Sequence, residues 1–177
     1  MGLKRMTPIV KEPNPILHQR AAPVREITAE ILCLIDTMIK TMHAAQGVGL
    51  AANQVGSNLD ILVASPDGKA GKELVLLNAA LIGRRGRVSS PEGCLSLPGL
   101  SAEVHRSAQV TATGLNRQGE PITLKADGLL ARILQHEVDH LKGDLFLDRL
   151  GIFHRRRLLA RYRRMMDNLD RIRLSTP

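Results

Sequence analysis

Histidines four residues apart, in His136-Glu137-Val138-Asp139-His140, give this chain its first recognisable piece of chemistry. On a helix such residues stand one turn above each other, with Cβ atoms about 5–6 Å apart, so both imidazoles can converge on one ion. If the ion is zinc, each contributes a nitrogen at about 2.0–2.1 Å. Glu137, next to the first ligand, is then placed to take a proton from water that the ion activates. The alternative is a pair of solvated or core histidines flanked by charge. Burying Glu137 without a partner would cost several kcal/mol, which counts against that alternative.

Two ligands do not make a catalytic site, so a third is needed. Glu92-Gly93-Cys94-Leu95-Ser96-Leu97-Pro98-Gly99 puts a thiol on a turn-rich loop that can approach an ion closely. Cys94 with His136 and His140 makes a one-sulfur, two-nitrogen set and leaves a fourth position for water. Cys94 can also be read as an inert thiol. In a zinc peptidase the third ligand would come from downstream, where Asp144, Asp148 and His154 are the candidates. Gly47-Val48-Gly49-Leu50-Ala51-Ala52-Asn53-Gln54 lacks the spacing of a dinucleotide fingerprint and the lysine of a phosphate loop. It reads either as a tight turn or as a close backbone approach to substrate. In the second case Gln54 is an amide donor for a developing oxyanion.

These side chains need elements to hold them. Ile31, Leu34, Ile35, Met38, Ile39 and Met42 recur at helical spacing, predicting a helix over 29–43 with Thr28 as N-cap and Gly47 ending it. Cys33 inside it reads as a buried small hydrophobe. Short β-like runs follow at Ile61–Ala64, Leu74–Leu77, Gln109–Thr113 and Ile122–Leu124, split by Pro66-Asp67-Gly68 and Gln118-Gly119. Connections this short favour antiparallel pairing. A second helix should start after Asp127 and run to Lys142 before Gly143. It carries Leu129, Ile133, His136, Glu137, His140 and Leu141 on one inward face. A third helix, about Ile152 to Arg173, has a stripe of Ile152, Leu158, Leu159, Tyr162, Met165, Met166, Leu169 and Ile172 among arginines. The expected fold class is α+β: short antiparallel strands around a central metal-binding helix, with a basic amphipathic helix appended.

Composition narrows the function classes. At 177 residues, with 44% hydrophobic side chains, the chain suits one domain (1–177, its basic helical end at 151–177) with a packed core. No apolar run approaches the roughly 18–20 residues that span a bilayer. The opening MGLKRMTPIV has no secretory h-region, and Met6 stands where myristoylation needs Ser or Thr. Two cysteines, Cys33 and Cys94, are too few for a disulfide scaffold, so a reducing cytoplasm is expected. The net charge of +8 is uneven: from Arg149 onward nine arginines face only Asp167 and Asp170. That end suits an acidic partner. With three aromatics in the chain (Phe146, Phe153, Tyr162), phosphate contact without sequence reading fits better than base stacking. A catalytically dead RNA- or ribosome-binding protein is therefore a competing class.

Taken together, GVGLAANQ, EGCLSLPG and QHEVDHLKG, in this order and at these separations, closely resemble the three signature motifs of peptide deformylases. The likeness runs from Pro8 to about Leu150 and includes PNPILHQRAAPV. It implies a metallohydrolase that removes the N-formyl group from the N-terminal methionine of new polypeptides and releases formate. By the same resemblance Cys94, His136 and His140 are the metal ligands and Glu137 the acid/base. Gln54 and the backbone N–H of Leu95 are the implied oxyanion donors. Gly49 is implied to touch the substrate backbone, and Val48, Leu129 and Ile133 to wall the methionine pocket. Glu92 and Arg106 resemble a supporting ion pair. The implied ion is Fe(II), with zinc, nickel or cobalt able to replace it. The arginine-rich end resembles a helix that meets the ribosome, here through Arg155, Arg156, Arg163 and Arg164. Two departures stand out: Ala79 follows Asn78 where the family often has proline, and Gly99 to His105 lacks an arginine that some members place near the substrate.

Overall fold

The computed structural model describes residues 7–175, so Met6 and the opening segment lie outside the described residues. Helix α1 (Ala29–Ala44) is followed by strands β1 (Gly49–Ala51), β2 (Ile61–Ala64), β3 (Leu74–Arg85), β4 (Val88–Gly93), β5 (Ser101–Arg106), β6 (Gln109–Leu115) and β7 (Pro121–Asp127). Helices α2 (Gly128–Lys142) and α3 (Ile152–Ser175) complete the chain. The fold is α+β, and every strand pairing is antiparallel. One sheet has the order β1-β2-β3-β6-β7; β4 and β5 form a separate hairpin.

Alternation along the strands splits the core between two helices. Ile61, Val63, Val75, Leu77 and Leu50 face Ile35, Met38 and Met42 of α1. Their neighbours Leu62, Leu76 and Ala51 face the other way, against Ala131, Leu134, Val138 and Leu141 of α2. A strand covered on both faces has no polar side to show, which is why all four residues of β2 are buried. Helix α2 is thus pressed on the sheet along one stripe, and its remaining inward face is free for the histidines.

Several elements differ from the sequence expectation. Strands β3, β6 and β7 run further than the apolar runs that mark them, because pairing continues past those runs, through residues exposed or half-buried in the outer half of β3 and half-buried or mixed in β6 and β7. Hairpin β4–β5 is unmarked by alternating hydrophobics. Five of the six positions of β4 lie outside the core, and one of the three buried positions of β5 is Arg106. Helix α1 ends at Ala44, one residue past the expected 43, and it is Gln46 rather than Gly47 that turns the chain, at φ +54°. Gly47 serves a different purpose: a Cβ there would lie 2.7 Å from Leu95 Cδ1. Cys33 is half-buried rather than buried. Thr28 and Asp127 occupy the N-cap positions, but neither side chain makes the capping hydrogen bond. Gly143 ends α2 as expected, at φ +85°.

The stripe of α3 docks only through its middle. Leu158 and Tyr162 are buried with Leu97, Leu100 and Phe146, and Leu159, Met165 and Met166 pack at the margin. Ile152, Leu169 and Ile172 are exposed, as is Phe153 at 83%. The helix therefore backs the loop that carries Cys94, and Tyr162 Oη donates to the Glu12 carbonyl at 3.3 Å.

Candidate active site

Helix α2, the loop after β4 and the segment from β1 into the 3-10 turn Ala52–Val55 converge on one cleft of about 640 Å³. His136 and Glu137 line it from α2, Cys94 and Leu95 from the loop, and Val48, Gly49 and Gln54 from the β1 segment. The helical repeat brings Leu129, Ile133, His136 and Glu137 onto this side. Val48 and Leu129 are each 39% exposed because they stand at the open mouth, while Ile133 is buried behind them.

One ligand atom each from Cys94, His136 and His140 gathers within 4.8 Å, and among the described residues no other His/Cys/Asp/Glu group does so. Cys94 Sγ lies 3.1 Å from His140 Nε2. His136 uses Nδ1 on Glu92 Oε2 at 3.0 Å, which leaves Nε2 for an ion. Burial pushes the Cys94 thiol up, but the two imidazoles beside it, with their hydrogen bonds, hold it well below the ordinary thiol range. The Ser96 N–H (3.4 Å) and Gln54 Nε2 (3.5 Å) also point at the sulfur. A thiolate with two imidazole nitrogens fits a divalent ion with soft and borderline ligands. The downstream alternatives do not join this group: Asp144 and Asp148 pair with Arg149 and Arg155, and His154 is exposed on α3.

Glu137 is buried, and its Oε2 has no hydrogen-bond partner. Burial raises its pKa, opposed by His136 and His140 and aided by Cys94 and Glu92. A carboxyl that can hold a proton more readily than usual suits proton transfer in both directions. The Gln54 amide is fixed from behind: Oε1 accepts from the Ala51 N–H at 2.9 Å, turning Nε2 towards Ser96 Oγ (3.2 Å) and Cys94.

The Glu92–Arg106 pair is present and larger than the sequence suggests. Arg106 Nε donates to Glu92 Oε1 at 2.8 Å and Nη2 to Oε2 at 2.9 Å, both side chains being buried. Burial would raise the Glu92 pKa, but the bonds from Arg106 and His136 outweigh it and hold it at about 2. Sequence reasoning missed Asp139. It lies within the histidine motif, accepts from Arg106 Nη1 and is gripped from the far side by Arg149, whose Nε donates at 2.9 Å. A charged residue on the buried side of an amphipathic helix was the available signal. Also missed were Lys11, whose Nζ donates to the Leu95 carbonyl at 2.5 Å, and Asn53, whose Nδ2 donates to the His140 carbonyl at 2.6 Å.

The family model for polypeptide deformylases matches residues 6–156. A peptide deformylase of Halothermothrix orenii is 47% identical over 138 residues, covering 77% of this chain and 88% of that protein. One from Aquifex aeolicus is 43% identical over 161 residues, covering 89% and 95%. The crystal structure of a peptide deformylase from Legionella pneumophila superposes with a TM-score of 0.88 at 36% identity, over 98% of this chain and 100% of that one. A cysteine and two histidines placed to hold an ion, a buried carboxylate with an unpartnered Oε2 and these likenesses over most of the chain agree: it belongs to the polypeptide deformylase family, metal-dependent hydrolases that remove the N-formyl group from nascent peptides.

Proposed function

We propose that Cys94, His136 and His140 hold the divalent ion, Fe(II) in the native protein, and that Glu137 moves the proton in formamide hydrolysis. When bound, the ion supplies Lewis-acid chemistry, acidifying water and polarising the formyl oxygen. The observation that carries this reading is the buried, unpartnered Oε2 of Glu137 in the cleft beside the three ligands. Glu137 accepts the proton of the attacking water and returns it to the amine nitrogen as the C–N bond breaks and formate leaves. The Leu95 N–H and Gln54 Nε2 meet the oxyanion, and one such donor is worth about 3 kcal/mol. Val48, Leu129 and Ile133 hold the methionine side chain, and Gly49 lets the substrate backbone approach. Glu92 and Arg106 keep His136 aimed.

Zinc, nickel or cobalt can occupy the same donor set. We read residues 1–177 as one functional unit that works in the cytoplasm. No helix among the described residues is long and apolar enough to cross a membrane. The exposed arginines of α3, Arg155, Arg156, Arg163 and Arg164, are its contact with ribosomal phosphates.

The test is Glu137→Gln. The variant keeps its metal, because the residue does not coordinate it, and loses formate release from a formyl-Met peptide by orders of magnitude. Turnover near the wild-type rate would refute the assignment.

A further inference from the structure

Arg132 is a cation in the wall of the cleft to which the reaction assigns no role. It sits on α2 one turn before His136 and next to Ile133, and it is half-buried. Its Nη1 reaches across to β4 and donates to Ser90 Oγ at 2.6 Å. Among the described residues no carboxylate comes within 4.0 Å of its guanidinium. The other lysine or arginine lining the cleft, Lys11, is turned to the Leu95 carbonyl on the cysteine loop. Arg132 is thus tethered by one contact, on the same helical face as Leu129 and Ile133.

A guanidinium carries five N–H donors, and Ser90 accounts for one of them. An occupant that ends in carbon displaces water from the remaining donors and gives nothing back. A thioether sulfur is a weak acceptor, and a sulfoxide oxygen on the same side chain is a polar group that can accept fully.

We propose that Arg132 is a specificity-determining residue: it reads a polar atom at the end of the first side chain, so that formyl-methionine-sulfoxide peptides are substrates alongside formyl-methionine ones. This rests on the deformylase reading and on Val48, Leu129 and Ile133 holding that side chain. The bond changes are those of formamide hydrolysis: water adds to the formyl carbon, the C–N bond breaks, the amine takes the proton and formate leaves. The sulfoxide passes through unchanged and no reductant is needed.

The experiment measures formate release by the metal-loaded protein from three peptides that differ only in the first residue: formyl-methionine, formyl-norleucine and formyl-methionine sulfoxide. The readout is the ratio of kcat/KM for sulfoxide over norleucine. In Arg132→Leu the ratio falls about tenfold or more, the worth of a hydrogen bond to a charged group. Arg132→Gln, which keeps N–H donors, retains more of the ratio than Arg132→Leu. Ser90→Ala removes the tether without altering α2 and lowers the ratio in the same direction. A ratio unchanged in both Arg132→Leu and Ser90→Ala overturns the proposal, as does a wild-type protein that accepts norleucine and rejects the sulfoxide. No formate from any of the three peptides would instead sink the underlying deformylase reading.

Discussion

Gly49 and Glu137 are packed so closely that no side chain fits between them: a Cβ on Gly49 would collide with Glu137 Oε1 and stand 2.7 Å from Ile133 Cγ2. The glycine is therefore needed for space, and the space belongs to Glu137, the group proposed to move the proton. Gly49→Ala must displace the carboxylate or the β1 backbone. We expect kcat/KM on a formyl-Met peptide to fall about a hundredfold or more, since a displacement near 1 Å can cost that much. Metal content should be kept, because Cys94, His136 and His140 are not touched. Near wild-type turnover would show that the position of Glu137 is not critical.

Glu92 links the buried arginine to His136, a proposed metal ligand, accepting from Arg106 and from His136 Nδ1. Glu92→Gln preserves the shape but removes the charge that orients the imidazole. Metal affinity should fall about 10–100-fold, as read by competition with a chelator. Cys94→Ala should lose far more, because it leaves two ligands where three stood. Equal affinities for Glu92→Gln and wild type would reduce the Glu92–Arg106 pair to a packing role.

The site was more legible in the sequence than the elements around it. Metal-ligand chemistry needs fixed residue types at fixed spacing, so His136 and His140 could be read directly, while Cys94 stood open between ligand and inert thiol until the family likeness was added. Of their supports, the Glu92–Arg106 pair came from the family likeness, whereas Asp139 and Arg149 acquire meaning only when β5, α2 and the turn at Phe146–Arg149 meet. Hairpin β4–β5 escaped notice for a related reason. Only Ala102 and Val104 of its hydrophobic side chains alternate into the core, too few to mark it by period. The Ala79 departure also resolves in three dimensions. The Ala79 N–H donates to Asp60 Oδ1 at 2.9 Å, a bond that proline could not make. Asn78 beside it takes φ +56°, and its side chain bonds both backbone groups of Val24.

The burial of Asp60, which accepts that bond, has a measurable signature. Burial raises its pKa, while the Ala79 N–H and Arg20 pull the other way without cancelling it. The folded protein therefore holds the proton to higher pH than the unfolded chain. Stability falls as pH rises from the unfolded carboxyl value through the raised folded one, and the penalty is constant above that. Asp60→Asn keeps an acceptor for Ala79 and removes the charge. Its stability relative to wild type should climb across this window and then level off. Urea unfolding of both proteins from about pH 3 to pH 7 reads the difference. A difference that stays flat, or shrinks with rising pH, would contradict the burial argument.

The proposed ribosome contact of helix α3 can be tested apart from the chemistry. Leu158 and Tyr162 fasten it behind the cysteine loop, while Arg155, Arg156, Arg163 and Arg164 face outward. Arg155 already pairs with Asp148 at 2.8 Å, so it is partly neutralised at home. Among the described residues no carboxylate lies within 4.0 Å of the other three. Replacing all four by Gln should weaken binding to ribosomes and make its dependence on salt shallower, because fewer counterions are released. Arg156, Arg163 and Arg164 should account for most of that change. Restoring Arg155 alone should recover little, since its charge is shared with Asp148. Co-sedimentation with ribosomes across a salt series, beside peptide hydrolysis on the same preparations, distinguishes the outcomes. Affinity and salt slope identical to wild type would remove the docking role. A collapse of peptide turnover would show instead that the arginines help α3 brace the loop that holds Cys94.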